Sequence, residues 1–244
     1  MGNLGVVLKR ELASYFATPV AYVFIVIYLI MSAVFTFYLG GFYERGIADL
    51  EPFFRFHPWL YLFLVPAIGM RLWAEERKSG TVELLLTLPI TAGEAVLGKF
   101  LAAWLFIGLA LVLTFPIWIT VNVLGNPDNG VIVAAYIGSW LMAGGFLAIS
   151  ACLSAATRNQ VVAFILAVVV CFIFLLSGLP MVLDVFRGWL PQPLIDGIAN
   201  LSFLVHFTSI SRGVLDLRDV LYFVLVIGFW LAANRIVLEL KKAD

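Results

Sequence analysis

The stretch Val20-Ala-Tyr-Val-Phe-Ile-Val-Ile-Tyr-Leu-Ile-Met-Ser-Ala-Val-Phe-Thr-Phe-Tyr-Leu39 carries no charged residue over twenty positions. About 20 apolar residues in a helix cross the hydrocarbon of a bilayer. The whole chain shares this character, being 63% hydrophobic and 12% charged. A soluble domain carries about 25% charged residues, and 244 residues cannot bury so much apolar surface in one core. Lipid is therefore the expected solvent. The fold class is all-α, a polytopic membrane protein.

Five further runs complete a set of six transmembrane helices. The expected spans are 20–39, 56–70, 98–120, 131–156, 160–180 and 219–238, in one transmembrane domain over 1–244. Trp59 and Tyr61 are expected at an interface. Arg235 interrupts the last run and is expected to snorkel to the headgroups. Placing the N-terminus inside puts ten of the fifteen Lys and Arg residues on the cytoplasmic side, which satisfies the positive-inside bias. Both termini are then cytoplasmic. The first apolar run is too long for a signal peptide, and no small-residue cleavage site closes it.

Three segments do not span. Residues 1–18 read as an interfacial helix with Lys9-Arg10-Glu11 on its polar side, broken at Thr18-Pro19. Arg71 to Lys99 is the most charged stretch. Asp184 to Asp219 lies outside, and Ile195 to Leu217 is expected to lie on or dip into the outer interface. If it spanned, the C-terminus would move outside. The sequence has no tandem repeat of 20–50 residues.

The charged stretch contains Glu75-Glu76-Arg77-Lys78-Ser79-Gly80-Thr81-Val82-Glu83-Leu84-Leu85-Leu86-Thr87-Leu88-Pro89-Ile90. Gly80 reads as a helix stop. Thr81 to Leu88 reads as a short helix ended by Pro89, and Thr91 with Glu94 as a capping box for the next helix. Composition alone leaves two readings open, a solvated loop and a docking element whose apolar tip fits a partner's groove.

This stretch resembles the first cytoplasmic loop of ABC transporter permeases of the type-2 exporter superfamily, which reads roughly E-(E/R)-x-x-G-T-x-E-x-L-x-x-x-P-(I/V). The resemblance implies that Glu75, Glu76, Gly80, Thr81, Glu83, Leu84, Leu85 and Pro89 belong to a coupling helix and its flanks. That helix would dock on a separate cytoplasmic ABC ATPase subunit. A smaller contact is implied at Ala155 to Gln160, including Arg158. The stretch from His206 to Phe223 is similar to the gliding-motility-associated subgroup. That likeness implies a second membrane subunit, either the same chain or a related one with an outer domain. The wider family resemblance implies export, and an outer gate at Gly178 and Pro180, to which His206 is assigned by the subgroup pattern.

Other chemistry is not expected. No Gly-rich loop precedes a Lys-Ser/Thr pair, so ATP would be bound by the partner and the chain needs no cofactor. Glu75 and Glu76 have no nucleophile or histidine beside them and read as partners of Arg71, Arg77 or Lys78. His57 and His206 lack a third ligand with metal spacing and read as interfacial side chains. Cys152 and Cys171 lie in apolar runs, against a disulfide or thiolate site. No charge falls mid-span, which argues against ion-coupled transport. Zero net charge argues against nucleic acid as partner. The expected location is the bacterial inner membrane. The alternative function is a non-transporting scaffold that relays an ATPase-driven change to an envelope partner.

Overall fold

A computed structural model describes residues 3–81 and 90–241. The described residues form helices joined by short turns, with no strand among them. The first helix, α1 (Asn3–Phe16), ends just before Thr18, whose extended backbone leads into Pro19 at the first position of α2 (Pro19–Val34). Proline is preorganised for that position because its missing N–H is not needed there. Helix α2 widens into a π-helical turn at Phe35–Leu39. Thr36 Oγ1 donates to the Ser32 carbonyl at 2.6 Å just there, a contact that loosens the helical ladder.

The remaining helices are α3 (Glu51–Arg55), α4 (His57–Gly69), α5 (Arg71–Ser79), α6 (Ala92–Val112), α7 (Phe115–Leu124), α8 (Asn129–Ala156), α9 (Gln160–Leu176), α10 (Pro180–Phe186), α11 (Gln192–Ala199), α12 (Phe203–Ser211) and α13 (Leu217–Leu240). Four of the described stretches are long and apolar enough to cross a membrane: Pro19–Leu39, Ala92–Leu124, Asn129–Ala156 and Leu217–Leu240. Two bent pairs raise the number to as many as six, α9 with α10 at 86° and α11 with α12 at 61°. This is a multi-pass membrane protein.

The set differs from the sequence expectation at two places: the pair α11 and α12, expected outside the spans, can count as one, and the expected second span does not. The expected second span, 56–70, is occupied by α4, a helix of 13 residues, about 20 Å long. It is continued by α5 after a break at Met70, and the cause of the break is a side chain from another helix. Ser154 Oγ on α8 donates to the Met70 carbonyl at 2.7 Å and accepts the amides of Trp73 and Ala74 at 3.1 and 3.0 Å. Those groups would otherwise pair along the helix, so the hydroxyl replaces part of the i→i−4 ladder.

Helix α8 is the centre of the bundle. Helices α4, α5, α6, α9, α12 and α13 all pack on it. Of its most apolar window 72% is buried, against 11% for α13. Lipid gives no hydrophobic drive between spans, so close approach depends on small residues. Helix α8 supplies Ala143, Gly144, Gly145, Ala148, Ala151 and Ala155, all buried. Trp104 of α6 and Trp140 of α8 stack at 4.1 Å, each indole donating to the other's carbonyl at 2.9 and 3.2 Å.

The turns gather at two ends. Arg77 and Lys241 donate to the carbonyls of Ala155 and Ala156, and Val7 packs on Gly98. Residues 80, 91, 156 and 241 therefore share one end with α1, here the Gly80 end. At the opposite, Asn129 end, Gly125 meets Ala48 and Gly213 meets Val131. Helix α12 enters the bundle from that end. Phe203 packs on Gly145 and Ile210 on Gly138, so α12 runs antiparallel to α8. Sixteen residues of α8 separate Gly145 from Asn129, about 24 Å, more than half of the helix. The segment expected on or in the interface thus dips to the middle of the bundle.

His57 corrects another expectation. It is fully buried, not interfacial, with Nε2 at 2.9 Å from the Tyr28 hydroxyl and its ring against Phe53 at 4.4 Å. A ring nitrogen in an apolar setting needs such a partner.

Candidate functional site

Most of the charged groups singled out in the sequence meet at the Gly80 end. Helix α5 stops at Gly80, which takes a left-handed backbone with φ 73°. Residues with a Cβ avoid that conformation. Ser79 and Thr81 fold back over the helix end: Ser79 Oγ donates to the carbonyls of Glu75 and Glu76 at 3.1 Å, and Thr81 Oγ1 to Glu76 at 3.3 Å. Residues 82–89 follow. Glu83, Leu84, Leu85 and Pro89, and with them nearly all of the expected 81–88 helix, lie outside the described residues. The chain is described again at Ile90, and α6 begins on a full capping box. Thr91 Oγ1 accepts the Glu94 amide at 3.2 Å, and the Glu94 carboxylate accepts the Thr91 amide at 2.7 Å. The Thr91 amide and hydroxyl bonds hold the Glu94 carboxyl below the usual range.

Between these anchors sits an ionic cluster that reading the sequence missed. Lys99 of α6 is 3% exposed, with Nζ at 2.7 Å from Glu76 Oε1 and 3.2 Å from Glu11 Oε2. Its ammonium also lies over the Trp73 ring at 5.2 Å, a favourable placement for a cation. One lysine thus ties α1, α5 and α6 together. Burial acts to raise the Glu11 carboxyl, but Lys99 and Arg10 together outweigh it and leave it lowered. Glu75 pairs with Arg71 at 3.2 Å, as the sequence suggests, whereas Glu76 pairs with Lys99 and not with a neighbour on its own helix. Lys99 stands alone in the apolar run Ala95 to Trp104, and a lone charge there must seek a carboxylate. That was the available signal, but it named no partner.

Arg158 lies exposed in the turn between α8 and α9, at the same end. Asn159 caps α9 by accepting the Val161 amide at 2.9 Å. A cavity of about 620 Å³ opens beside the cluster, between α1, α2, α4 and α5. Its lining mixes charged Glu11, Arg71 and Glu76 with apolar Ala21, Phe24 and Ile68.

The remaining candidates lie away from the Gly80 end, around the start of α12. Gly178 follows α9, and a Cβ there would lie 2.6 Å from Ser202 Cβ and 2.7 Å from Val205 Cγ2. Ser202 Oγ donates to the Leu175 carbonyl at 3.1 Å. Pro180 opens α10 after the 86° bend. His206 lies one turn further along α12, with Nδ1 at 2.6 Å from Asp219 of α13. Gly178 and His206 therefore flank the same corner, at the first turn of α12. Among the described residues no group of His, Cys, Asp and Glu forms a metal site, and Cys152 and Cys171 are free and buried.

A bundle of long apolar helices around a small-residue hub, with charged residues gathered at both ends, is the architecture of a multi-pass membrane domain. The family model for ABC-2 family transporter protein matches residues 46–212, more than half of the chain. The chain belongs to the ABC-2 transporter family. No curated protein matches it.

Proposed function

We propose that the chain is the membrane subunit of a bacterial ABC exporter, seated in the inner membrane with the Gly80 end in the cytoplasm. A separate ATPase docks on residues 81–88, with a lesser contact at Arg158. A second membrane subunit, a copy of this chain or a relative with an outer domain, completes the path. The stretch from His206 to Phe223 favours the gliding-associated subgroup. The resemblance of 75–90 to the coupling loop is what brings the ATPase into this reading.

The observation that carries the mechanism is the double anchoring of that loop. On one side Gly80 ends α5, which is held to α8 through Ser154 and Arg77. On the other side Thr91 caps α6, which is held to α5 and α1 through Lys99. A push on 81–88 therefore reaches α8, the helix on which the others pack. Such a push shifts the equilibrium only if the ATPase contacts differ between its two states. The cavity, lined by both charged and apolar side chains, favours an amphipathic cargo. Gly178, Pro180 and His206 serve in this reading as the outer gate.

The test uses the chain reconstituted with its ATPase. Glu83→Lys, or Leu84 and Leu85 both changed to Asp, abolishes stimulation of ATP hydrolysis while insertion is retained. Normal capture of the ATPase by these variants would sink the proposal. Biological rescue with no cargo movement in proteoliposomes would favour the scaffold reading.

A further inference from the structure

Arginine stays charged in proteins and offers five N–H donors but no acceptor. At the Asn129 end, Arg45 pairs with both Asp49 and Glu51. Asp128 caps α8, its Oδ1 accepting the amides of Gly130 and Val131 at 2.9 and 3.3 Å. These three carboxylates line a cavity of about 600 Å³ together with Arg55 and Arg212. Among the described residues neither Arg55 nor Arg212 has a side-chain partner. A single solvated arginine would need no ligand, but two that face one cavity without a counter-ion make a site for an anion.

The shape around them selects the anion. A second cavity, of about 480 Å³, lies on the other side of α12. Leu204, Thr208 and Arg212 line both cavities. They recur every four residues and so form one ridge along the helix. Phe207 and Ser211 flank the ridge in the larger cavity, Val205 and Ser209 in the smaller. Gly213 meets Val131 in the first turn of α8, so Arg212 stands at the Asn129 end of the ridge. Leu204 lies about 12 Å deeper. The deep lining is apolar, with Phe54 and Ala135 on one side and Gly178 and Leu179 on the other. Two apolar cavities thus meet at one cation. An anionic head with two apolar chains fits that shape, whereas a free anion would leave both apolar linings uncovered.

We propose that Arg55 and Arg212 bind the phosphodiester of a membrane glycerophospholipid whose two acyl chains straddle the α12 ridge. The guanidinium fork meets two phosphate oxygens at once. Bound in this way, the lipid fills the space that α12 leaves on either side of itself. It comes from the leaflet at the Asn129 end. The site does not depend on which side of the membrane that end faces, nor on the coupling loop.

Native mass spectrometry of the full chain in detergent, titrated with dioleoyl phosphatidylethanolamine, counts the bound lipid. One lipid per chain is expected to bind ahead of the rest. Arg55→Gln and Arg212→Gln should each weaken that first site roughly tenfold, the weight of one charge-assisted bond. Arg218→Gln removes the same charge from α13, outside both cavities, and should leave the site unchanged. Dioleoylglycerol has the same chains without the phosphate and should not occupy it, and inorganic phosphate should not displace the lipid. Equal affinity in all three variants overturns the proposal, as does dioleoylglycerol binding as tightly. Displacement by inorganic phosphate overturns it too, because the site would then serve a soluble anion. If the Arg55 and Arg212 variants do not fold, labelling of the unaltered chain decides. Phosphatidylethanolamine with a photoreactive acyl chain should label Leu204 and Val205 saturably, in competition with unlabelled lipid. Labelling there no more saturable than on Val224 and Leu225, exposed on α13, overturns the proposal.

Discussion

Replacing Lys99 by Met removes the one cation shared by Glu11 and Glu76 while keeping most of the side chain's volume. Lys99 Nζ lies 2.7 and 3.2 Å from the two carboxylates. At an effective dielectric near 20 the two attractions are about 6 and 5 kcal/mol. Desolvation and the repulsion between the carboxylates offset much of this. The net loss is set by the cheapest escape for the orphaned acids. Protonating one glutamate at pH 7 from an ordinary value near 4.3 costs about 3.7 kcal/mol, within the roughly 3–5 kcal/mol expected for breaking a buried pair. At pH 5 the same escape costs only about 1 kcal/mol. Lys99→Met is therefore expected to lose about 3–4 kcal/mol of unfolding free energy at pH 7 and far less at pH 5. Adding Glu76→Gln should restore part of the loss. The assay is reversible denaturation in mixed micelles, followed by tryptophan fluorescence, on the two single variants and the double variant. The unaltered chain has the opposite pH trend. The folded Glu11 carboxyl is held below its ordinary value, so its contribution is present above about pH 4.3 and fades as pH falls through the lower folded value. A Lys99→Met loss under about 1 kcal/mol at pH 7, or one equal at both pH values, would refute the shared-cation account.

Two close helix contacts give further expectations. A Cβ on Gly69 would lie 2.3 Å from Ser150 Cβ, so Gly69→Ala should destabilise by about 1–3 kcal/mol through overpacking; adding Ser150→Gly should recover most of that in the same unfolding assay, and no recovery would show that the contact is not the cause. Gly178→Ala forces Ser202 and Val205 away from α9 and should break the bond from Ser202 to the Leu175 carbonyl. Faster amide exchange in α12 with α2 unchanged is the expected result, and unchanged exchange in α12 counts against the corner packing.

Much of the architecture could be read from local chemistry. The charge-free run 20–39 and its counterparts announce helices in lipid because backbone groups there must pair within the segment. Thr18-Pro19, Gly80 and the Thr91–Glu94 capping box act within a few residues, and each functions as its residue types require. Short-range signals of this kind survive any arrangement of the bundle.

Other features belong to pairs of residues far apart in the chain. The break at Met70 is made by Ser154, 84 positions away, so no local pattern marks it. Glu76 finds Lys99 instead of Arg71 or Lys78 because α6 returns beside α5. His57 is polar enough to read as interfacial, yet the Tyr28 hydroxyl and a ring of aromatic side chains bury it. Helix α12 is too polar to read as a span, and only glycines at 138 and 145 on α8 let it enter so deeply. By itself the sequence determined the solvent of the chain, the helices and their caps, since composition and near-neighbour hydrogen bonding set these. Only the tertiary structure decided which charges share a partner, where a helix breaks and how far the 203–211 segment descends. Those outcomes depend on the distance between helices, and packing against α8 sets that distance.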